Sequence, residues 1–262
     1  MIQMTDAVTA HQQRRDTEAV LTVDNVRKEF SGVTALDGAT IEVRDGEIVG
    51  IVGPNGAGKS TLFNCIMGTH ELTDGRVALN GTDISNERTD VIVNSGVSRT
   101  FQLARVFPSL TVRENMLINQ EHSDEGLLRT IVSKSDETVH ARTDELLEFV
   151  GLTDLATSPA GDLSTGQKKL LSIAAALLSD PEVILLDEPA AGVNPGLVDD
   201  ISQTIVALNE RGATFCIIEH DMDMIRNLSE YLYVLHNGAN LRQGEPETVL
   251  NDDAVLEAYF GK

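Results

Sequence analysis

The sequence predicts an α/β protein with a mixed α/β core, a β-rich antiparallel first part and an inserted helical lobe. Residues 47–68, EIVGIVGPNGAGKSTLFNCIMG, run from an apolar strand through a glycine-rich turn into a helix that ends at Gly68. After Pro181, VILLDE and TFCIIE are continuous β-branched and leucine runs of the kind buried in parallel sheets, with a helix over 197–210 between them. Between these two regions, from about 103 to 179, the apolar period becomes helical.

In chain order, residues 1–19 are polar with no core face and are expected to form a loose tail. The folded domain is therefore placed at 20–262, with its helical lobe at about 103–179. From Leu21 to about Ile84, short β runs are punctuated by Asp45-Gly46 and Asn80-Gly81, pairs suited to tight hairpin turns. In the lobe, 138–150 carries Leu146, Leu147, Phe149 and Val150 as a stripe before Gly151, and 164–178 is apolar along much of its second half. A hairpin at Asn237-Gly238 and a helix near 246–260 close the order.

Composition excludes several classes of function. With 41 acidic against 20 basic residues, the formal charge of -21 repels nucleic acid and anionic lipid headgroups, so no nucleic-acid partner is expected. The acids are spread along the chain, as on a solvated surface suited to high salt. No apolar run approaches the roughly 20 residues that cross a bilayer, and the N-terminus lacks a signal-peptide core, so membrane association would go through a partner. Cys65 and Cys216 lie in apolar stretches without metal-ligand spacing, which reads as buried inert thiols in a reducing compartment.

The chemistry begins with GPNGAGKS, residues 53–60, which fits G-x-x-x-x-G-K-[ST] between a strand and a helix. Its glycines let backbone N–H groups close around phosphates, Lys59 reaches the β and γ oxygens, and Ser60 offers a hydroxyl to Mg²⁺. VILLDEP, residues 183–189, ends a buried strand in carboxylates, which is costly unless something there requires them. Asp187 would hold the metal and Glu188 would polarise an attacking water. In IIEHDM, His220 again stands at a strand's carboxyl end, where open α/β sheets bind ligands and a neutral imidazole would meet a γ-phosphate. Gln102, in RTFQLAR, is a weaker candidate of the same kind. LSTGQ, residues 163–167, reads as a helix start. It is either a plain N-cap with a permissive glycine or a second set of N–H groups for an anion.

Taken in this order, the motifs resemble those of the ATP-binding subunits of ABC transporters, over nearly the whole chain. EPAAGVNP, IIEHDM and the ending VLEAYFGK are most similar to the LivG-type subunits of branched-chain amino acid importers. The resemblance implies a P-loop ABC ATPase fold that hydrolyses ATP with Mg²⁺. Gly53, Pro54, Asn55, Gly56, Ala57, Gly58, Lys59, Ser60 and Thr61 would then contact the nucleotide, and Phe30 would stack on adenine unless it is a core residue. Ser60, Gln102 and Asp187 would serve the metal, while Glu188, His220, Lys59 and Gln102 would serve catalysis.

The family dimerises head to tail, so Ser164, Gly166 and Gln167 of one chain would cap the nucleotide held by the other. Further implied partners are ABC permease subunits, a second ATP-binding subunit, identical or not, and indirectly an extracytoplasmic substrate-binding protein. The place implied is the cytoplasmic face of the membrane, with Phe107 and Leu110 as candidates to line the permease groove. Urea or short-amide import, lipopolysaccharide export and soluble iron-sulfur cluster assembly use similar subunits and stay open as alternatives. The chain departs from the common pattern at Thr165, where a second signature glycine is usual, and at Asn194, where many members carry aspartate.

Overall fold

The computed structural model describes residues 18–100, 106–118 and 137–260. The first half comprises β1 (Ala19–Phe30), β2 (Val33–Arg44), β3 (Ile48–Val52), α1 (Lys59–Ile66), β4 (Asp74–Leu79), β5 (Thr82–Asp83), α2 (Thr89–Asn94) and β6 (Val97–Thr100). Then come α3 (Val112–Ile118), α4 (Glu137–Phe149), α5 (Thr165–Leu177), β7 (Val183–Asp187), α6 (Pro195–Asn209), β8 (Phe215–Ile218) and α7 (Met222–Leu228). The described chain closes with β9 (Tyr231–His236), β10 (Ala239–Gly244), α8 (Pro246–Leu250) and α9 (Asp253–Phe260).

Two sheets result. A four-stranded antiparallel sheet has the order β2-β1-β4-β5, and a six-stranded sheet has the order β10-β9-β3-β8-β7-β6. In the larger sheet β9, β3, β8, β7 and β6 run parallel and β10 is antiparallel to β9. The central strands β3, β8 and β7 are buried at every position because both of their faces are covered. Ile184 and Leu186 of β7, with Phe215 and Ile217 of β8, enter a core that includes Leu171 and Ala174 of α5 and Ile201 of α6. Val183, Leu185, Cys216 and Ile218 alternate to the other face, where they join Leu62, Phe63 and Ile66 of α1 and the antiparallel sheet. Phe63 is fully buried there, so truncating it to alanine would cost about 3–5 kcal/mol.

Asn80-Gly81 and Asn237-Gly238 both turn as expected, with φ of 48° and 76° in the first pair and 50° and 81° in the second, joining β4 to β5 and β9 to β10. Asp45-Gly46 is not a hairpin. It carries the chain from the antiparallel sheet to the parallel one, because the fully buried IVGIV of β3 takes β8 and β9 as partners and not β2. The expected C-terminal helix is two helices. Asp252 accepts the Ala254 N–H at 2.9 Å and restarts the turn after Asn251, a local side-chain bond that competes with the helix. Among the described residues no helix is long and apolar enough to cross a membrane.

Candidate functional site

Strand order brings the chemistry together. Ile218, the last residue of β8, pairs with Ile51 of β3 on one side and Asp187 of β7 on the other. The segments that follow these parallel strands therefore leave one edge of the sheet side by side: the glycine-rich loop after β3, Asp187 and Glu188 at the end of β7, and Glu219 and His220 after β8.

The loop is shaped by left-handed glycines that no other residue would replace cheaply. Gly53 (φ 153°) passes so close to β9 that a Cβ would lie 2.1 Å from the Leu235 carbonyl oxygen, and Gly58 (φ 102°) would meet the Ala35 oxygen at 2.6 Å. Gly56 (φ 83°) faces open space, so the middle of the loop is accessible while its ends are clamped. Gly58 caps α1 without a side-chain acceptor, leaving the first backbone N–H groups of the helix for a ligand anion. The Lys59 ammonium is buried inside the loop and donates to the Gly53 and Pro54 carbonyls at 2.6 and 3.2 Å. Burial pulls its pKa below the usual lysine range, against the opposing pull of Glu188 and Asp187.

Asp187 is buried, and its Oδ2 accepts from the Arg99 guanidinium at 2.6 Å. Arg99 also donates to Asn64 of α1 at 2.7 Å and lies 5.5 Å from the Phe63 ring centroid, so it ties β6 and β7 to the helix that follows the loop. A carboxylate and a hydroxyl, here Asp187 and the exposed Ser60, are oxygen donors of the kind Mg²⁺ takes, since it uses few protein ligands and keeps substrate phosphates and water. Among the described residues no cluster of three or more histidine, cysteine or carboxylate side chains is placed to hold a metal ion.

Glu188 carries the least comfortable backbone of the site, with φ +50°, a conformation that costs a residue of its kind about 1–3 kcal/mol. Its N–H donates to the Ile218 carbonyl at 2.8 Å, and its carboxylate Oε1 lies 3.0 Å from Nε2 of His220. The Glu188 side chain is 17% exposed and that of His220 is 39% exposed, so the pair stands at the rim of the site and not inside the core.

At residues 163–167 the structure shows the N-cap of the first reading. Ser164 is the exposed N-cap of α5, accepting from the Gln167 N–H at 3.3 Å, while the Gln167 side chain takes the Ser164 N–H at 2.9 Å, a complete capping box. Gly166 is buried against α6, where a Cβ would fall 1.6 Å from Cδ2 of Leu197. Asn194 caps α6 by accepting the Leu197 N–H at 3.1 Å, a role that aspartate would fill equally well. Phe30 is 38% exposed, packs edge-on against His70 at 5.1 Å and carries the Lys28 ammonium 4.7 Å from its centroid, so it is not a core residue. Gln102 lies outside the described residues. Phe107 is 49% exposed and Leu110 is half-buried.

Three charged residues of the site were not assigned from sequence. Arg99 is one. Lys169 of α5 donates to the Glu188 carbonyl at 2.8 Å, and Glu219 accepts from Ala190 N–H at 2.6 Å and His220 N–H at 2.9 Å. A charge inside an apolar stretch was the available signal, but only the fold says what each one meets. An open groove of about 630 Å³ is lined by Glu188, Glu219, His220, Val193, Asp199 and Asp223 among others, and by no residue of the glycine-rich loop.

Comparison with known proteins agrees with this geometry. The model of the ABC transporter family matches residues 36–191. A probable branched-chain amino acid transport ATP-binding protein of Methanocaldococcus jannaschii is 40% identical, over 95% of this chain and 100% of that one. A solved ADP conformation of an ATP-binding cassette of an ABC transporter is 39% identical with a TM-score of 0.83, over 94% of this chain and 100% of that one. A dimeric post-hydrolysis cassette bound to ADP and Pi is 26% identical with a TM-score of 0.72, over 86% of this chain and 98% of that one.

Proposed function

The chain belongs to the ABC transporter family as an ATP-binding, ATP-hydrolysing subunit, and on that premise we propose that it powers uptake of branched-chain or related amino acids through a partner permease. The observation that carries the catalytic part is the Glu188–His220 pair, 3.0 Å apart, at the sheet edge where the phosphate loop also begins. The substrate class is supported by the function named for the archaeal relative.

In this reading the N–H groups of Gly56 and of residues 58–61, with the Lys59 ammonium, cradle the phosphates of ATP, while the Ala57 N–H closes the loop on the Pro54 carbonyl at 3.1 Å. The Ser60 hydroxyl and the Asp187 carboxylate would hold Mg²⁺, which when bound would supply positive charge to the phosphates. Glu188 aligns and polarises the water that attacks the γ-phosphorus, and His220 fixes the carboxylate from the other side. Phe30 offers an apolar platform for the base. A second ATP-binding subunit supplies Ser164 and the N-terminus of its own α5 to the γ-phosphate, so ATP favours the closed pair and hydrolysis releases it. That a related cassette is dimeric with ADP and Pi bound supports the pairing of two subunits. Exposed Phe107 belongs to the surface that receives the permease on the cytoplasmic face of the membrane.

Replacing Glu188 by Gln tests the catalytic role. ATP binding should stay within about threefold while turnover falls on the order of 10²–10³-fold, and closed dimers should accumulate. Full turnover by Glu188→Gln would overturn it. For the cargo, uptake of labelled leucine, isoleucine and valine by the reconstituted transporter is expected to require this chain, and uptake of urea alone would contradict the amino-acid reading.

A further inference from the structure

A carboxylate that must aim a water molecule cannot project from a loose peptide, and the peptide of Glu188 is held in a left-handed conformation that it would not adopt unaided. Its restraints come from three directions. The N–H is held by Ile218 of the neighbouring strand at 2.8 Å. The carbonyl accepts the Ala191 N–H at 3.1 Å from the loop that follows. The same carbonyl also accepts Nζ of Lys169 at 2.8 Å, and of the three this bond comes from another layer of the fold, since Lys169 lies in the first two turns of α5.

Lys169 is 7% exposed. An ammonium buried to that degree is expensive unless its surroundings compensate it, and here burial depresses its pKa while the carboxylates of Glu219 and Glu188 oppose the shift. Glu219 is 3% exposed and is itself tied to backbone, receiving the N–H groups of Ala190, His220 and Asp221 at 2.6, 2.9 and 3.4 Å. A buried lysine thus bonds to the backbone of Glu188, and a buried glutamate to the backbone of Ala190, His220 and Asp221.

We propose that Lys169 is a positioning residue for ATP hydrolysis: its bond to the Glu188 carbonyl fixes the peptide from which the catalytic carboxylate projects, and makes the aim of that carboxylate depend on the seat of α5. The helix begins at Ser164, only five residues away, or about 7 Å along its axis. Whatever engages the Ser164 end in a dimer is therefore felt at the Glu188 of the same chain, which serves the other nucleotide. The inference rests on the catalytic reading of Glu188 given above.

The test compares Lys169→Met, Lys169→Arg and Glu188→Gln in the full-length chain under conditions that support turnover. A misplacement of about 1 Å can cost 10²-fold, so Lys169→Met is expected to lower kcat about 10- to 100-fold while KM for ATP stays within twofold. Lys169→Arg, which keeps a charged donor, should retain at least a third of wild-type kcat. Should Lys169→Met show no cooperative unfolding transition, Lys169→Gln takes its place, with the same fall in kcat and the same steady KM expected. Unchanged kcat in the methionine or glutamine variant, a matching rise in KM, or an arginine variant as slow as either would overturn the proposal. If Glu188→Gln is inactive while Lys169→Met is normal, this inference alone fails; an active Glu188→Gln removes the catalytic reading beneath it.

Discussion

Two helix N-termini in this molecule are built for different uses of the same dipole. The first, at α1, is capped by a left-handed glycine with no side-chain acceptor, in a loop whose open centre is Gly56. The second, at α5, closes on itself: Ser164 and Gln167 exchange hydrogen bonds in a capping box, and Gly166 is pressed onto Leu197. An uncapped end keeps its N–H donors for an anion, whereas a capped end has already satisfied part of its own demand. In the function proposed above, α1 would bind phosphate within one chain. The end of α5 is capped by its own side chains, and in the same proposal it would meet a nucleotide held by a second subunit.

The largest way to break this contrast is at α1. Gly58→Ala places a Cβ 2.6 Å from the Ala35 carbonyl at a φ of 102°, and should lower ATP affinity of the isolated chain at least 100-fold in a fluorescent-nucleotide titration. Second comes Arg99→Met, which strands the buried Asp187 carboxylate without the guanidinium. It should cost about 3–5 kcal/mol in chemical unfolding and leave the two helix ends otherwise unlike each other.

At α5 the expected effects are smaller. Gly166→Ala collides with a side chain and not with backbone, so it should cost about 1–3 kcal/mol and be largely repaired by Leu197→Ala. Ser164→Ala should cost only about 1 kcal/mol of thermal stability, the value of a lost cap, with ATP binding by the single chain unchanged.

A pH experiment sharpens the contrast least but reports on the frame both ends share. Burial pushes the Cys65 thiol, at the far end of α1, up to about 11, and that of Cys216 in β8 up as well. At pH 8 about one Cys65 thiol in a thousand is ionised, so alkylation by iodoacetamide should be slow in the folded chain and fast after unfolding. The folded chain keeps these protons longer than the unfolded one. Stability should therefore fall as pH rises above the ordinary thiol range.

How much of this was legible in the sequence differs by kind of information. The phosphate loop, the acidic end of β7 and His220 were readable because each motif is contiguous and its strand or helix context is local. The parallel sheet was readable because strands covered on both faces are apolar along their length. What escaped depends on partners distant in sequence. Asp45-Gly46 looks like a hairpin until β3 is seen to prefer β8 and β9. Arg99 gains its meaning from Asp187, 88 residues away, and Lys169 from a carbonyl 19 residues away. Gly166 looked like a phosphate contact or a permissive cap residue; that it also gives α5 and α6 close approach follows only from their packing.

The most direct test of the division between the two helix ends is the ATP-dependent association of Glu188→Gln, measured by light scattering with and without Ser164→Arg. Ser164→Arg should leave nucleotide affinity of the single chain within twofold and abolish the ATP-driven dimer. A Ser164→Arg, Glu188→Gln chain that still dimerises with ATP, or one that no longer binds ATP as a monomer, would contradict the account.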